Sequence, residues 1–261
     1  MIKKLFKYDF NNMTKTLKWF YLIVIGVAIL TRLVLIGKKI QLINIIGRIL
    51  LGCTYSAVAN VLINMFIHIP TYLNRNFYKD ESYLTHTLPI SKNKLFLSKC
   101  LSALTVILIS VAVCVVGLLI VFLDKSFITG IKVVFESIVV GFNMPAWLII
   151  SLLVLLIFAE FCTLISMGNT AIIKANTYNQ KRGIKGVIWF MAYYFGATLI
   201  TLIISIIVFA LTGNINALFS EKMPQSALLT LLIISTVLYV GYVFVHYFIA
   251  NKIFNKGVNV D

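Results

Sequence analysis

The sequence has little charge, and acidic residues are particularly scarce. Only 12% of its 261 residues are charged, and 23 Lys and Arg stand against 8 Asp and Glu. Hydrophobic residues make up 61% of the chain, whereas soluble domains are about 45–50% apolar and about 25% charged. A soluble fold could not bury this much apolar surface, because even a large domain leaves much of its surface in water. The composition therefore excludes an ordinary soluble domain and predicts an integral membrane protein.

Common catalytic and binding motifs are also absent from the sequence. There is no GxxxxGK[ST] sequence, so the chain does not bind ATP through a P-loop. No HExxH, GxSxG or paired-carboxylate motif is present. The three His residues are far apart in sequence, and the four Cys residues show no CxxC spacing. We therefore expect no enzyme activity, no metal site and no cofactor in this chain.

Six long apolar runs define the predicted architecture. Each has at least 18 residues, which is enough to cross about 30 Å of hydrocarbon at about 1.5 Å per residue. The predicted spans are approximately 19–36, 49–71, 95–123, 145–167, 186–211 and 226–250. The expected fold class is an all-α integral membrane protein in which residues 1–261 form a single transmembrane domain.

The distribution of Lys and Arg predicts the orientation of these spans. The N-terminal segment, the second and fourth loops and the C-terminal tail together hold 15 of these residues, and the alternate loops hold 5. Cytoplasmic loops of membrane proteins carry such an excess, so we expect both termini in the cytoplasm. Anionic lipid headgroups account for the basic balance, and no nucleic-acid partner is expected.

The N-terminal segment shows a helical pattern of its own. Its apolar residues fall at helical spacing, and most of its lysines lie elsewhere on the helical wheel. The apolar positions are Ile2, Leu5, Phe6, Phe10, Met13 and Leu17. This pattern predicts a basic amphipathic helix over about residues 2–17, lying in the plane of the inner membrane interface. The alternative is a disordered basic leader.

Glu160 is an acidic residue inside the fourth predicted span, about four residues past its middle toward the cytoplasm. A charged group at a helix centre costs roughly 2.5–3.5 kcal/mol on insertion scales. We therefore expect Glu160 to face the bundle interior, to pair with another group or to be protonated. It either lines a substrate path or subunit contact, or is a hydrogen-bonded structural carboxyl near the inner interface.

The second predicted span carries polar or small residues at every fourth position: Gly52, Ser56, Asn60, Asn64 and His68. Successive members lie about 40° apart on a helix, so neighbours share a face. Asparagine side chains need hydrogen-bonding partners within hydrocarbon. The row either joins neighbouring helices or forms a polar strip along a conduit.

The loop between the second and third spans contains a further helical pattern. Its apolar residues fall at spacings of 4, 7 and 4, at Leu73, Phe77, Leu84 and Leu88. Asp80 and Glu81 interrupt this stripe with charge, and Pro89 ends it. The pattern predicts a short cytoplasmic helix from about residue 74 to residue 88. This helix either packs on its own bundle or docks a soluble partner.

Part of this loop resembles a known family. Residues 80–91, DESYLTHTLPIS, are similar to the D-E-x-Y-L-x-x-T-L-P-[VI]-[ST] sequence that precedes the third span in bacterial ABC exporter permeases of the type-2 class. Residues 95–99 continue this similarity, and residues 5–10 resemble the usual N-terminal segment of those proteins. The resemblance covers the six-span layout over essentially the full length.

The resemblance implies a division of labour between subunits. A separate ABC ATPase subunit, present in two copies, would bind ATP and Mg, and two permease subunits, identical or different, would form the path. The helix at 74–88 would be the coupling helix, and the helix at 2–17 the elbow helix. The implied coupling residues are Asn76, Phe77, Tyr78, Asp80, Glu81, Tyr83, Leu84, Leu88 and Pro89. The residues expected along the substrate path or at a subunit contact are Asn60, Asn64, His68 and Glu160.

The expected function is therefore that of a membrane-spanning permease subunit of an ATP-driven exporter in the bacterial plasma membrane. Its substrate would be hydrophobic or amphipathic, such as a drug or an antimicrobial or toxin peptide. One alternative is a membrane peptide-sensing or immunity protein that does not transport. Another is an ion-coupled secondary transporter, which Glu160 would serve.

Overall fold

The computed structural model describes residues 2–37, 41–79, 81–87, 89–142, 144–213, 215–216, 220 and 224–256. Helices account for 91% of these residues, and none of them lies in a β-strand. The all-α class predicted from composition is therefore confirmed for the described part of the chain.

Eight α-helices follow one another in the described ranges. They are α1 (Ile2–Ile36), α2 (Gln41–Tyr78), α3 (Ser82–His86), α4 (Lys92–Phe122), α5 (Lys125–Phe142), α6 (Ala146–Ala175), α7 (Arg182–Leu211) and α8 (Gln225–Asn255). Six of them, all except α3 and α5, are long and apolar enough to cross a membrane. The predicted number of candidate spans is thus confirmed, and the chain has the character of a multi-pass membrane protein.

The chain divides into two compact units, residues 1–129 and 130–261. In the first unit α1 packs against α2 and α4, and α2 also contacts α3 and α4. In the second unit α6 packs against both α7 and α8. Small apolar clusters support each unit, one around Val24 and Val61 and the other around Phe209 and Ala227.

The first helix joins the predicted in-plane helix to the predicted first span without a break. It has 35 residues and is therefore about 52 Å long, more than the roughly 30 Å of hydrocarbon. The helical pattern at residues 2–17 is confirmed, and its position in the membrane plane stays a prediction. Met13 and Leu17 are fully buried within the first unit, so part of the apolar face is already covered by protein.

The prediction of a single helix from residue 74 to residue 88 is wrong. The second helix continues through the first part of this segment to Tyr78, and the separate helix α3 begins at Ser82. The chain folds back between them because Glu81 binds side chains in the last turn of α2. The predicted apolar stripe is also divided, since Phe77 is fully buried whereas Leu84 is 69% exposed.

The helix α5 is not among the predicted elements, because residues 124–144 lie between two predicted spans. It is amphipathic: Ile131, Val134 and Ile138 repeat at spacings of three and four, and Lys132 and Glu136 lie on the opposite side. Its 18 residues carry three charged side chains, Lys125, Lys132 and Glu136, which is more than a candidate span of that length holds. The helical period is nevertheless present in the sequence and could have identified it.

Candidate functional site

A buried ion pair joins the first helix to the fourth. The Nζ atom of Lys99 lies 2.8 Å from Oδ1 of Asp9, and each side chain is only 2% exposed. Removing two charges from water is costly unless the remaining hydrogen-bonding groups of the pair are satisfied. The contribution of this pair to the stability of the fold therefore depends on the side chains that surround it.

Two helices, α2 and α4, contribute donors or aromatic rings to the pair. The hydroxyl of Tyr72, on α2, donates to Oδ1 of Asp9 at 2.9 Å, and Ser98 Oγ donates to Oδ2 at 3.1 Å. The Lys99 ammonium lies 5.2 Å from the ring centre of Tyr72 and 5.1 Å from that of Phe77. Both distances allow cation–π attraction. The result is a satisfied charge cluster that ties α1, α2 and α4 together.

Sequence reasoning missed this cluster. Asp9 is one acid in a basic leader, and Lys99 lies at the edge of a predicted span. One signal was available: only eight acids occur in the chain, and a lysine at the edge of an apolar run requires a partner. The sequence does not indicate which acid supplies it.

The loop after α2 is fixed by a second polar network next to this cluster. The Nδ2 atom of Asn76 donates to Oε2 of Glu81 at 2.7 Å, and its Oδ1 accepts a hydrogen bond from Thr85 Oγ1 at 3.0 Å. The Nε atom of Arg75 lies 3.0 Å from Oε1 of Glu81. Asn76 is 3% exposed, so these contacts hold α3 against the end of α2 from a buried position.

The predicted coupling residues fall into a buried and an exposed group. Asn76, Phe77 and Tyr78 are buried, and the Phe77 ring lies 6.4 Å from the ring of Phe96 on α4. Tyr83 and Leu84 are 76% and 69% exposed. Pro89 is also exposed, and Glu81 is half-buried. Asp80 and Leu88 lie outside the described residues.

Two cavities lie beside the exposed group. The first, of about 380 Å³, is bounded by Asp9, Asn76 and Lys99 as well as by Tyr8 and Leu84. The second has a similar volume of about 380 Å³ and includes Lys3 and Lys94. Ile90 borders both cavities. We call Tyr8, Tyr83, Leu84 and the rims of these cavities the loop surface; it combines exposed apolar side chains with exposed lysines.

The polar row on α2 satisfies part of its hydrogen bonding within its own helix. Asn60 donates to the Ser56 carbonyl at 3.0 Å, and Asn64 donates to the Asn60 carbonyl at 2.8 Å. Asn60 is exposed and borders an open groove of about 540 Å³ between α1 and α2. His68 is half-buried, and its Nε2 atom has no hydrogen-bond partner. The prediction that the two asparagines join helices is therefore not supported by these bonds.

Glu160 lies at the midpoint of α6 and is exposed. Within its own unit Glu160 is not buried, and the expectation that it faces the bundle interior, pairs with another group or is protonated stays a prediction. Its neighbours Ala159, Cys162 and Thr163 are buried. Thr163 Oγ1 donates to the carbonyl of Tyr239 on α8 at 2.9 Å.

Comparisons with models of known protein families, with curated proteins and with solved structures find no match. Among the described residues, no group of three or more His, Cys, Asp or Glu side chains is arranged to hold a metal ion. The residues that the structure describes define a multi-pass, all-helical membrane protein, in which buried hydrogen bonds anchor the loop between the second and third candidate spans.

Proposed function

We propose that this chain is the permease subunit of an ATP-driven ABC exporter in the bacterial plasma membrane, with both termini in the cytoplasm. Two copies of a separate ATPase subunit bind ATP and Mg, and a second permease subunit completes the path. The substrate is hydrophobic or amphipathic. The observation that carries this proposal is the anchored loop, in which exposed Tyr83 and Leu84 stand on a buried polar network.

The anchoring suits a part that transmits force. A partner that pushes on α3 meets a helix held by Asn76 and Glu81, next to the buried pair of Asp9 and Lys99. We therefore expect a displacement of α3 to move α1, α2 and α4 together, because hydrogen bonds join α3 to α2 and the buried ion pair joins α1 to α4. A loop without such contacts would change its own conformation when the partner pushes on it, and the membrane-spanning helices would not move.

The charge of the loop surface supports a protein partner of matching character. Lys3, Lys4 and Lys94 are exposed around the two cavities, and Tyr8 and Leu84 present apolar area beside them. An acidic partner surface with an apolar side chain at its centre complements this arrangement. We therefore expect the ATPase subunit to dock here through such a surface.

The proposal is tested by co-purifying the chain with an ABC ATPase that is co-expressed as its candidate partner. Replacing Tyr83 and Leu84 together by Ala removes exposed apolar area without disturbing buried contacts, so the loss of the ATPase is expected. The matched control is Leu42→Ala, which removes a similarly exposed side chain, 67% accessible, at the opposite end of α2. Retention of the ATPase by the double variant, or its equal loss from the control, contradicts docking at this surface.

One observation favours a second candidate function. The exposed carboxyl of Glu160 at mid-helix suits an ion-coupled secondary transporter, since ionisable groups at membrane depth often mark proton or ion pathways. That function requires transport driven by a pH gradient in vesicles that contain neither ATP nor the ATPase. A membrane sensor or immunity protein would instead remain active after the ATP site of the candidate partner ATPase is destroyed.

A further inference from the structure

The helix α5 separates apolar and charged residues on its two sides. Successive residues of a helix are about 100° apart, and on this basis an arc of about 100° holds Phe127, Ile131, Val134, Phe135, Ile138 and Phe142. We call this arc the apolar face of α5. Lys132 and Glu136 lie outside it. A continuous apolar face beside a charged side is typical of helices that lie between water and an apolar medium.

The rest of the chain does not bury this face. None of residues 126–142 is buried, and on the apolar face Ile131, Val134 and Phe135 are 38%, 56% and 41% exposed. Val133, on the other side of the helix, is also 56% exposed. The fold therefore leaves the apolar face of α5 open to the surroundings of the chain, and the level of α5 decides what those surroundings are.

The beginning of α5 is fixed to the end of a candidate span. Residues 100–123 contain no charged residue, so the apolar run of α4 reaches this point. The guanidinium of Arg32, on α1, donates to the carbonyls of Val121 and Leu123 at 3.2 and 3.0 Å. The Oδ1 atom of Asp124 then accepts a hydrogen bond from the backbone N–H of Phe127 at 2.8 Å, which caps the first turn of α5. The corner between α4 and α5 is therefore held on both sides.

The end of α5 lies beside the beginnings of two further candidate spans. A Cβ atom at Gly141 would lie 3.3 Å from Nε2 of Gln225, the first residue of α8. The helix α6 begins soon afterwards, at Ala146. Its second residue, Trp147, is 65% exposed, and tryptophan is enriched at the level of the lipid headgroups. These neighbours place the end of α5 at a membrane boundary.

The short connections of α5 keep its whole length near that boundary. Two residues separate it from α4 and three from α6, and an extended chain covers at most about 3.6 Å per residue, so neither connection reaches further than about 14 Å. The 18 residues of α5 form a helix about 27 Å long. An upright helix would carry one end beyond the reach of its connection. If α4 and α6 cross the membrane, α5 therefore lies along the surface opposite the one that holds the α3 loop.

We propose that α5 is an in-plane helix that binds the phospholipid surface of the bilayer. Its apolar face lies among the headgroups and upper acyl chains, and Lys132 and Glu136 point toward water. Helices of this kind bury their apolar face about 5–10 Å into that region. By binding lipid there, α5 sets the depth at which α4 ends and α6 begins. The proposal requires only that these two helices cross the membrane, so it does not depend on a partner ATPase.

The test measures how deep single side chains of α5 lie in the bilayer. A nitroxide is attached to Ile131→Cys, Val134→Cys, Val133→Cys or Val140→Cys, each made in the full-length chain without its native cysteines and placed in nanodiscs of phosphatidylcholine and phosphatidylglycerol. Electron paramagnetic resonance reports the accessibility of each label to oxygen, which concentrates in acyl chains, and to a nickel chelate, which stays in water. We expect the oxygen-to-nickel ratio to be higher by about threefold or more at 131 and 134 than at 133 and 140.

Val133 and Val134 are the matched pair in this experiment. Both are valines with 56% of their surface exposed in the structure, so a difference between their labels comes from the surroundings of the chain. Equal ratios at these two positions overturn the proposal. Low accessibility to both reagents at 131 and 134 also overturns it, because protein then covers the face. Spin–spin broadening between copies labelled at 131 has the same consequence, since a second copy is then the occupant.

A second pair of variants keeps the native cysteines. Ile131→Glu places a carboxylate on the apolar face of α5, and Val133→Glu places one on the other side. Thermal unfolding of the full-length chain is followed in the same nanodiscs. We expect Ile131→Glu to lower the melting temperature by several degrees, because its carboxylate is taken out of water, and Val133→Glu to leave it nearly unchanged. Equal melting temperatures of the two variants would contradict the proposed position of α5.

Discussion

Lys99 and Asp9 are 90 residues apart in the chain, yet the Lys99 Nζ atom donates to Asp9 Oδ1 at 2.8 Å. Both side chains are 2% exposed, so the pair is a buried connection between the beginnings of α1 and α4. Tyr72 and Ser98 complete the hydrogen bonding of the carboxylate. The relationship explains how a basic N-terminal segment and a distant lysine form one structural unit beneath the loop.

The first prediction concerns the energy of this pair. Lys99→Met or Asp9→Asn alone leaves one charge buried without its partner, which costs about 3–5 kcal/mol. The double variant leaves no unpaired charge, so it should lose much less stability than the sum of the two single variants. Thermal unfolding in detergent measures the stability of the two single variants and of the double variant. Additive losses would show that the two side chains are not energetically coupled.

The second prediction separates the buried and exposed contacts of the loop. Asn76→Ala removes two hydrogen bonds from a 3% exposed position and should cost about 1–3 kcal/mol, because buried groups lose their partners. Arg75→Ala removes a pair whose side chains are 51% and 31% exposed, and such surface pairs contribute about 0–1 kcal/mol. Thermal unfolding of the two variants in the same detergent compares their losses of stability. A larger loss for Arg75→Ala would contradict the assignment of Asn76 as the anchor.

The third prediction concerns orientation. In a background with the four native cysteines replaced, single cysteines at Tyr83, Leu123 and Gln180 test three exposed positions between candidate spans. A membrane-impermeant maleimide applied to intact cells should label the cysteine at 123 only. The cysteines at 83 and 180 should react after lysis, because the basic loops are expected in the cytoplasm. Labelling of the cysteines at 83 and 180 in intact cells would show that the topology is the reverse of the one proposed.

The six candidate spans could be predicted from the sequence because long apolar runs are a strong signal. Their ends could not, because a helix continues by backbone hydrogen bonding into polar sequence where hydropathy has already fallen. The second helix reaches Tyr78 and α6 reaches Ala175, each beyond the predicted span. The extension of α6 moves Glu160 from the inner part of a predicted span to the midpoint of the helix.

The candidate site was predictable only in part. The loop motif indicates residues 76–89 as a candidate site. The division between buried Phe77 and exposed Leu84 depends on the break between α2 and α3 at Glu81. A regular helical wheel cannot predict that break. The direction of Glu160 depends on which face of α6 packs, and the small neighbouring residues Ala159 and Thr163 carried a weak indication of this.

The most direct test of the exporter account is ATP hydrolysis by the complete complex in liposomes. The chain is reconstituted with the ABC ATPase that co-purifies with it. The rate of ATP hydrolysis is compared for the wild type, for the variant with Ala at both Tyr83 and Leu84, and for Leu42→Ala. The account predicts that the wild type and Leu42→Ala raise hydrolysis above that of the isolated ATPase, whereas the double variant does not. Hydrolysis that is the same with all three chains, or unchanged by adding any of them, would contradict it.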